Sequence, residues 1–185
     1  MLYRVFPSRA GATPTEEGGA LYVPRARQGS GRHDNPDHYG ALYAARSPES
    51  AIAERVQGFR GQPLTGADLR LADGRRWALG AIDEARLPPL VDLDDPSQLA
   101  HCRLRPSMVA TRDRSTTREI ARAIFAEGLP GFSWWSTLES SWTNVTLFAE
   151  VAVPHLEVIG DPEPLSIGLP ALRSAADLLG ITVRR

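Results

Sequence analysis

The chain opens with short apolar runs separated by polar stretches rich in Gly and Pro, a spacing of strands and turns rather than of long helices. Leu2 to Phe6 predicts a first strand, the polar segment Gly11 to Gly19 a loop, and Ala20 to Pro24 a second strand. A loop carrying Gly29 and Gly31 leads to a third strand over Ala41 to Ala45. Ser47 before Pro48 is a helix opening, hydroxyl in the capping position and Pro at the first helical one, and this helix is expected to run to about Gly58. Ile52, Val56 and Phe59 share one of its stripes, and Glu54 falls nearly opposite, flanked on its own face by the small residues Ser47, Ala51 and Gly58.

Farther on, Trp77 to Asp94 reads as two strands with a Pro-containing connection. Thr116 with Glu119 three residues later resembles a capping box, followed by a helix with Ile120, Ala123 and Ile124 on one face that stops at Gly128 before Pro130. Two buried strands are expected over Phe132 to Thr137 and Asn144 to Val151, then a helix over Pro170 to Leu179 ending at Gly180, then a short strand over Ile181 to Val183. Strands and helices mix without strict alternation, which favours an α+β fold over a doubly wound sheet. A length of 185 residues suits a single domain over 1–185, its last helix and strand at 169–185 included.

Composition narrows the chemistry by exclusion. A formal net charge of −1 argues against a generic phosphate-backbone binder of nucleic acid. All 21 basic residues are Arg, so mechanisms built on a Schiff-base or P-loop lysine are excluded. The lone Cys102 offers neither an internal disulfide nor a metal cluster and reads as a small hydrophobe. His33, His38, His101 and His155 lack metal-ligand spacing and read mostly as loop or surface residues, so no metal is expected. With no apolar leader and no membrane-length run, a cytoplasmic location and no membrane contact are expected. Trp134, Trp135 and Trp142 read as core aromatics rather than a base-stacking platform.

What remains is the run Gly31-Arg32-His33-Asp34-Asn35-Pro36, with Tyr43 on the next strand and Glu54 on the next helix. It sets a guanidinium, a phenol and a carboxylate along one loop, strand and helix. Such groups hold an anionic dinucleotide, stack on a flat ring and stabilise positive charge forming on a sugar. Each has a plainer reading: Glu54 as a solvated surface carboxylate, the arginines as solvated cations, Tyr43 as a core tyrosine. Ser136 has no triad partners and lies in no nucleophile elbow, so a strand serine bonded to backbone or a positioning hydrogen bond fits it better than nucleophilic attack. Asn144 similarly reads as a residue tying the turn before its strand.

Taken in order, Tyr3-Arg4-Val5-Phe6, Gly31-Arg32, Tyr43, Ala51-Ile52-Ala53-Glu54, Gly131-Phe132-Ser133-Trp134-Trp135-Ser136 and Asn144-Val145-Thr146-Leu147-Phe148 resemble the RES domain family. The likeness is strongest over 2–151. It implies an ADP-ribosyltransferase-like fold, a mixed sheet with flanking helices, and a bacterial toxin of a type II toxin–antitoxin system. In such a toxin NAD+ is the substrate and no cofactor is required; the nicotinamide–ribose bond is cleaved by water or phosphate. The implied catalytic residues are Glu54, Arg32 and Ser136, and the implied NAD+-binding residues are Arg4, Arg32, Tyr43 and Asn144. Arg25 and Arg27 compete with Arg4 and Arg32 for the diphosphate. The implied partner is an Xre-type helix-turn-helix antitoxin, in a complex compatible with homo-oligomers. Two positions depart from the family pattern and bear on pocket shape: His33 where an aromatic often follows the arginine, and Trp135 where Tyr-Pro is common before the serine. The alternatives are a mono-ADP-ribosyltransferase acting on a cellular protein and a non-catalytic nucleotide- or partner-binding domain.

Overall fold

Caps and stops in the sequence decide most of the element boundaries, and where they fail the backbone has found a nearer hydrogen-bond partner. In the computed structural model, which describes residues 1–184, the elements in chain order are β1 (Leu2–Ser8), β2 (Ala41–Ala45), α1 (Pro48–Val56), β3 (Arg76–Asp83), β4 (Val91–Asp92), α2 (Pro96–His101), α3 (Pro106–Val109), α4 (Arg114–Ala126), β5 (Gly131–Trp135), β6 (Thr143–Phe148), α5 (Ala149–Ala152), β7 (Glu157–Pro164) and α6 (Pro170–Leu178). Arg185, the final residue of the expected domain, lies outside the described residues. The seven strands make a mixed sheet, and with its helices the chain is an α+β protein, as the mixed order of elements requires.

The chain divides into two compact units. The first comprises Met1–Tyr22, Ala45–Asp83 and the segment from Glu157 onward. In it β1 pairs antiparallel with β3, Leu2 opposite Ile82 through Ser8 opposite Arg76, and β3 pairs antiparallel with β7. Helix α1 packs on β1 and α6. Its N-cap is Ser47, whose hydroxyl accepts the Ser50 amide at 3.1 Å, and its stripe of Ile52 and Val56 is fully buried. Each such side chain stabilises the fold by about 1.5–3 kcal/mol.

The second unit comprises Val23–Ala44 and Glu84–Leu156. Its strands lie in the order β4-β5-β6-β2, with β4 parallel and β6 antiparallel to β5. Its core gathers Tyr39, Phe132, Trp134 and Phe148 with Leu93, Val109, Ile120 and Ile124. The Tyr39 and Phe148 rings meet at 4.4 Å and Phe125 closes on Phe148 at 5.2 Å. Gly131 opens β5 with φ +152°, and a Cβ there would stand 2.2 Å from the Thr146 carbonyl oxygen, so β5 and β6 approach too closely for any side chain.

Five expectations need correction. Ala20 to Pro24 is not a strand, because the Leu21 amide donates to Pro14 O at 2.8 Å and the Tyr22 amide to Gly19 O, folding the run back on its own loop. Helix α4 is capped by Asp113, whose carboxylate accepts from the Ser115 and Thr116 amides; the Thr116 hydroxyl is spent donating back to Asp113 at 2.6 Å, so no Thr116–Glu119 capping box forms. The buried face of α4 runs through Ile120, Ala121 and Ile124, leaving Ala123 exposed. Strand β6 stops at Phe148 instead of Val151, since the Ala149 amide donates to Gly40 O and the Glu150 carboxylate accepts the Gly40 amide, turning the chain into α5. Ile181 to Val183 contributes one parallel bridge, Leu64 to Val183.

If Asp113 is the cap, Asp113→Ala should cost about 1 kcal/mol and lower Tm by roughly 2–4 °C in thermal unfolding. Glu119→Ala, on the exposed side of α4, is expected to stay within about 0.5 kcal/mol of wild type.

Candidate functional site

Apart from one bridge between Asn35 and Tyr39, the loop Gly29–Asn35 has no strand pairing, and side chains supply most of its hydrogen bonds. Asp34 is 4% exposed; its Oδ2 accepts the Gly29 amide at 2.8 Å and the Gly31 amide at 2.6 Å, while its Oδ1 accepts the Tyr43 hydroxyl at 2.7 Å. The Tyr43 oxygen in turn accepts the His33 amide at 2.9 Å. The loop carbonyls are met from α4 and the core: Arg118 donates to Gly29 O and Gly31 O, Thr117 to Arg32 O, and the Tyr39 hydroxyl to His33 O at 2.8 Å. Asn35 donates to the Tyr39 oxygen at 2.6 Å and to Arg118 O at 3.0 Å. At the base of the loop the Gln28 side-chain amide pairs with both backbone groups of Ala41, as a neighbouring strand would.

This framework presents Arg32. Its Nη1 donates to Thr111 O at 2.6 Å and Val109 O at 3.2 Å, and its guanidinium carbon sits 5.3 Å from the centre of the Trp134 ring, within cation–π range. Trp134 Nε1 donates to the Thr146 hydroxyl, which lies 2.8 Å from His33 Nδ1. His33, 2% exposed, meets Phe132 and Trp134 edge-on at 4.8 and 5.1 Å. Burial, with Arg32 and Arg114 as nearby positive charges, pushes its pKa well below the usual imidazole range, so it is a neutral core residue and not a surface histidine. Burial and the Asp34 carboxylate likewise push the Tyr43 phenol far up, and Tyr39 rises to about 12.

Four of the anticipated site residues, Arg32, Tyr43, Ser136 and Asn144, therefore belong to the second unit. Ser136 follows β5 and is buried; its amide donates to Trp142 O at 2.7 Å and its Oγ accepts the Leu138 amide at 3.1 Å, holding the turn between β5 and β6. Asn144 is buried opposite Trp134 in the β5–β6 ladder. Near Trp135 a cleft of about 480 Å³ is lined by Asp94, Pro96, Leu99, Ala100, Leu104, Pro106 and Ser140. Arg25 is used structurally, donating to Pro36 O and pairing with Glu150 at 2.8 Å.

Glu54 and Arg4 belong to the first unit. Glu54 is exposed on α1, its carboxylate accepting the Gln57 side-chain amide at 3.0 Å. Arg4 donates to Ala20 O at 2.5 Å, and desolvation lowers its pKa to about 10, which leaves it charged at neutral pH. Sequence reasoning missed Asp34, Thr117, Arg118 and Thr146, whose partners lie up to 113 positions away in the chain. The one local signal was an Asp three residues after a Gly in a loop, the spacing of a side chain that closes a turn on its own backbone.

The chain is thus an α+β protein with a mixed sheet, whose loop Gly29–Asn35 carries an arginine over an aromatic ring and a buried carboxylate. The chain belongs to the RES domain family, whose pattern it matches over residues 1–167. Among solved structures it is similar to a chain in the crystal structure of the M. tuberculosis MbcT–MbcA toxin–antitoxin complex, at 17% identity, covering 97% of this chain and 88% of that one with a TM-score of 0.65. No curated protein matches the chain. Among the described residues no helix is long and apolar enough to cross a membrane, and no three His, Cys, Asp or Glu side chains gather as metal ligands would.

The low pKa of His33 has a signed consequence. Above about pH 6.5 both folded and unfolded forms are neutral; below it the unfolded chain takes up a proton that the folded chain refuses, so stability falls with pH by up to about 1.4 kcal/mol per unit. Urea unfolding at pH 7.5 and 5.5 should show this loss in wild type, and a correspondingly smaller loss in His33→Phe.

Proposed function

We propose that this chain is the toxin component of a toxin–antitoxin pair and that it degrades NAD+ by cleaving the nicotinamide–ribose bond, with water or phosphate as acceptor. The observation that carries the reading is membership of the RES domain family over nearly the whole chain, joined to the arginine, tyrosine and carboxylate that the reaction calls for. The fold likeness to a chain of a toxin–antitoxin complex supports it. The partner on this reading is an Xre-type antitoxin and the working compartment is the cytoplasm.

The chemistry needs neither metal nor cofactor. Nicotinamide leaves as a neutral molecule from a cationic ring, so no acid has to protonate it. What must be stabilised is the oxocarbenium-like ribose, as in glycoside hydrolysis. Glu54 serves this role electrostatically, with a benefit concentrated in the transition state. Arg32 is the candidate for the diphosphate in the second unit and Arg4 the candidate in the first, a task suited to guanidinium forks that keep their charge. Tyr43 offers a ring for stacking, since its hydroxyl proton is already committed to Asp34. On the family resemblance Ser136 positions reacting groups and Asn144 binds NAD+, from the turn and strand that they hold.

Incubation of purified protein with NAD+, with and without phosphate, followed by product identification, tests this directly. Free nicotinamide with ADP-ribose or its phosphorylated form is expected; label retained on protein would mean transfer, and unchanged NAD+ would remove the reading. Glu54→Gln should lower turnover by at least about 100-fold, with a melting temperature close to that of wild type because the residue is exposed.

A further inference from the structure

We propose that Asp34 is a positioning residue that acts through Arg32, fixing the loop from which that guanidinium reaches the diphosphate of the substrate. The proposal rests on the NAD+-cleaving reading above and adds a residue to it. Asp34 is the point where the loop and β2 are tied together: one carboxylate oxygen holds the two amides ahead of Arg32, at Gly29 and Gly31, and the other holds the Tyr43 hydroxyl. The Tyr43 oxygen then fixes the amide that follows Arg32, at His33. Arg32 is thus bracketed on both sides by bonds that lead back to a single carboxylate, while Thr117 holds its own carbonyl.

An acceptor on both oxygens suits this place. Two amide donors converge on Oδ2 and a phenol donates to Oδ1, so three donors point at the group and it needs no donor of its own. Gly31 shows how tightly the arrangement is drawn: a Cβ at that position would stand 2.5 Å from Asp34 Oδ1 and 2.6 Å from the Tyr43 oxygen. Preorganisation of this kind spares the substrate the cost of ordering the loop, and it does so in the ground state and the transition state alike.

The predicted signature is therefore on KM and not on kcat. In steady-state NAD+ cleavage, Asp34→Ala should raise KM at least about tenfold with kcat within about threefold, and should weaken ADP-ribose binding by the same factor in calorimetry. Asp34→Asn, whose oxygen can still take the two amides while its nitrogen faces Tyr43, should recover part of that loss. In an Arg32→Gln background, Asp34→Ala should add less than about twofold, because its effect runs through Arg32. If Asp34→Ala does not fold, Gly31→Ala carries the same measurements by pushing Asp34 and Tyr43 apart. The proposal is overturned if Asp34→Ala leaves KM within about twofold, if it lowers kcat alone, or if its effect adds fully to that of Arg32→Gln. A wild-type protein that neither consumes NAD+ nor binds ADP-ribose would instead remove the reading itself and the proposal with it, an outcome visible before any variant is made.

Discussion

Three hydrogen bonds to one buried carboxylate hold together the loop Gly29–Asn35 of the second unit and tie it to β2. Removing Asp34 from water is unfavourable, and two amides with a phenol offset that loss only while their geometry is kept. The requirement spreads outward. It calls for glycine at 31, because no side chain fits between the carboxylate and the phenol, and it places Tyr43 on β2 with its hydroxyl turned toward the loop. Arg118 and Thr117 complete the loop from α4, which ties the orientation of that helix to the loop as well.

Much of the fold was legible because its signals are local. Ser47-Pro48 starts α1, Gly128 with φ +75° follows α4, and the runs at Leu2 and Ala41 become β1 and β2, since each depends on residues a few positions apart. The failures share a cause: a distant or neighbouring polar group outbid the local preference. Asp113 caps α4 three residues earlier than expected, accepting the Ser115 and Thr116 amides and the Thr116 hydroxyl, and Gly40 drew Ala149 and Glu150 out of the β6 strand. Strand β7 was not anticipated, since Gly160, Pro162 and Pro164 interrupt any strand pattern, yet β3 supplies its partner, with a register shift between Leu79 and Ala81.

The candidate site was read from the sequence in the same local way. Arg32, Tyr43 and Glu54 were visible as residue types suited to a dinucleotide, and the order of short motifs pointed to the family. The supports of Arg32 were not visible. Thr117 and Arg118 reach the loop from 85 to 89 positions away, Thr146 reaches His33 from 113, and no periodicity in the chain encodes such meetings. Trp134 read correctly as core, but its second use, as a platform for a guanidinium, follows from the loop that the carboxylate holds.

Of the groups packed around Arg32, the imidazole of His33 is the one whose ordinary titration range falls near neutrality, and burial has moved it out of that range on the acid side. Its neighbours Tyr39 and Tyr43 have been moved the opposite way. Guanidinium groups do not titrate in this interval at all. None of these three rings therefore buffers near neutrality: modest acidification or alkalinisation of the surroundings leaves the imidazole and both phenols uncharged beside a constant Arg32 cation.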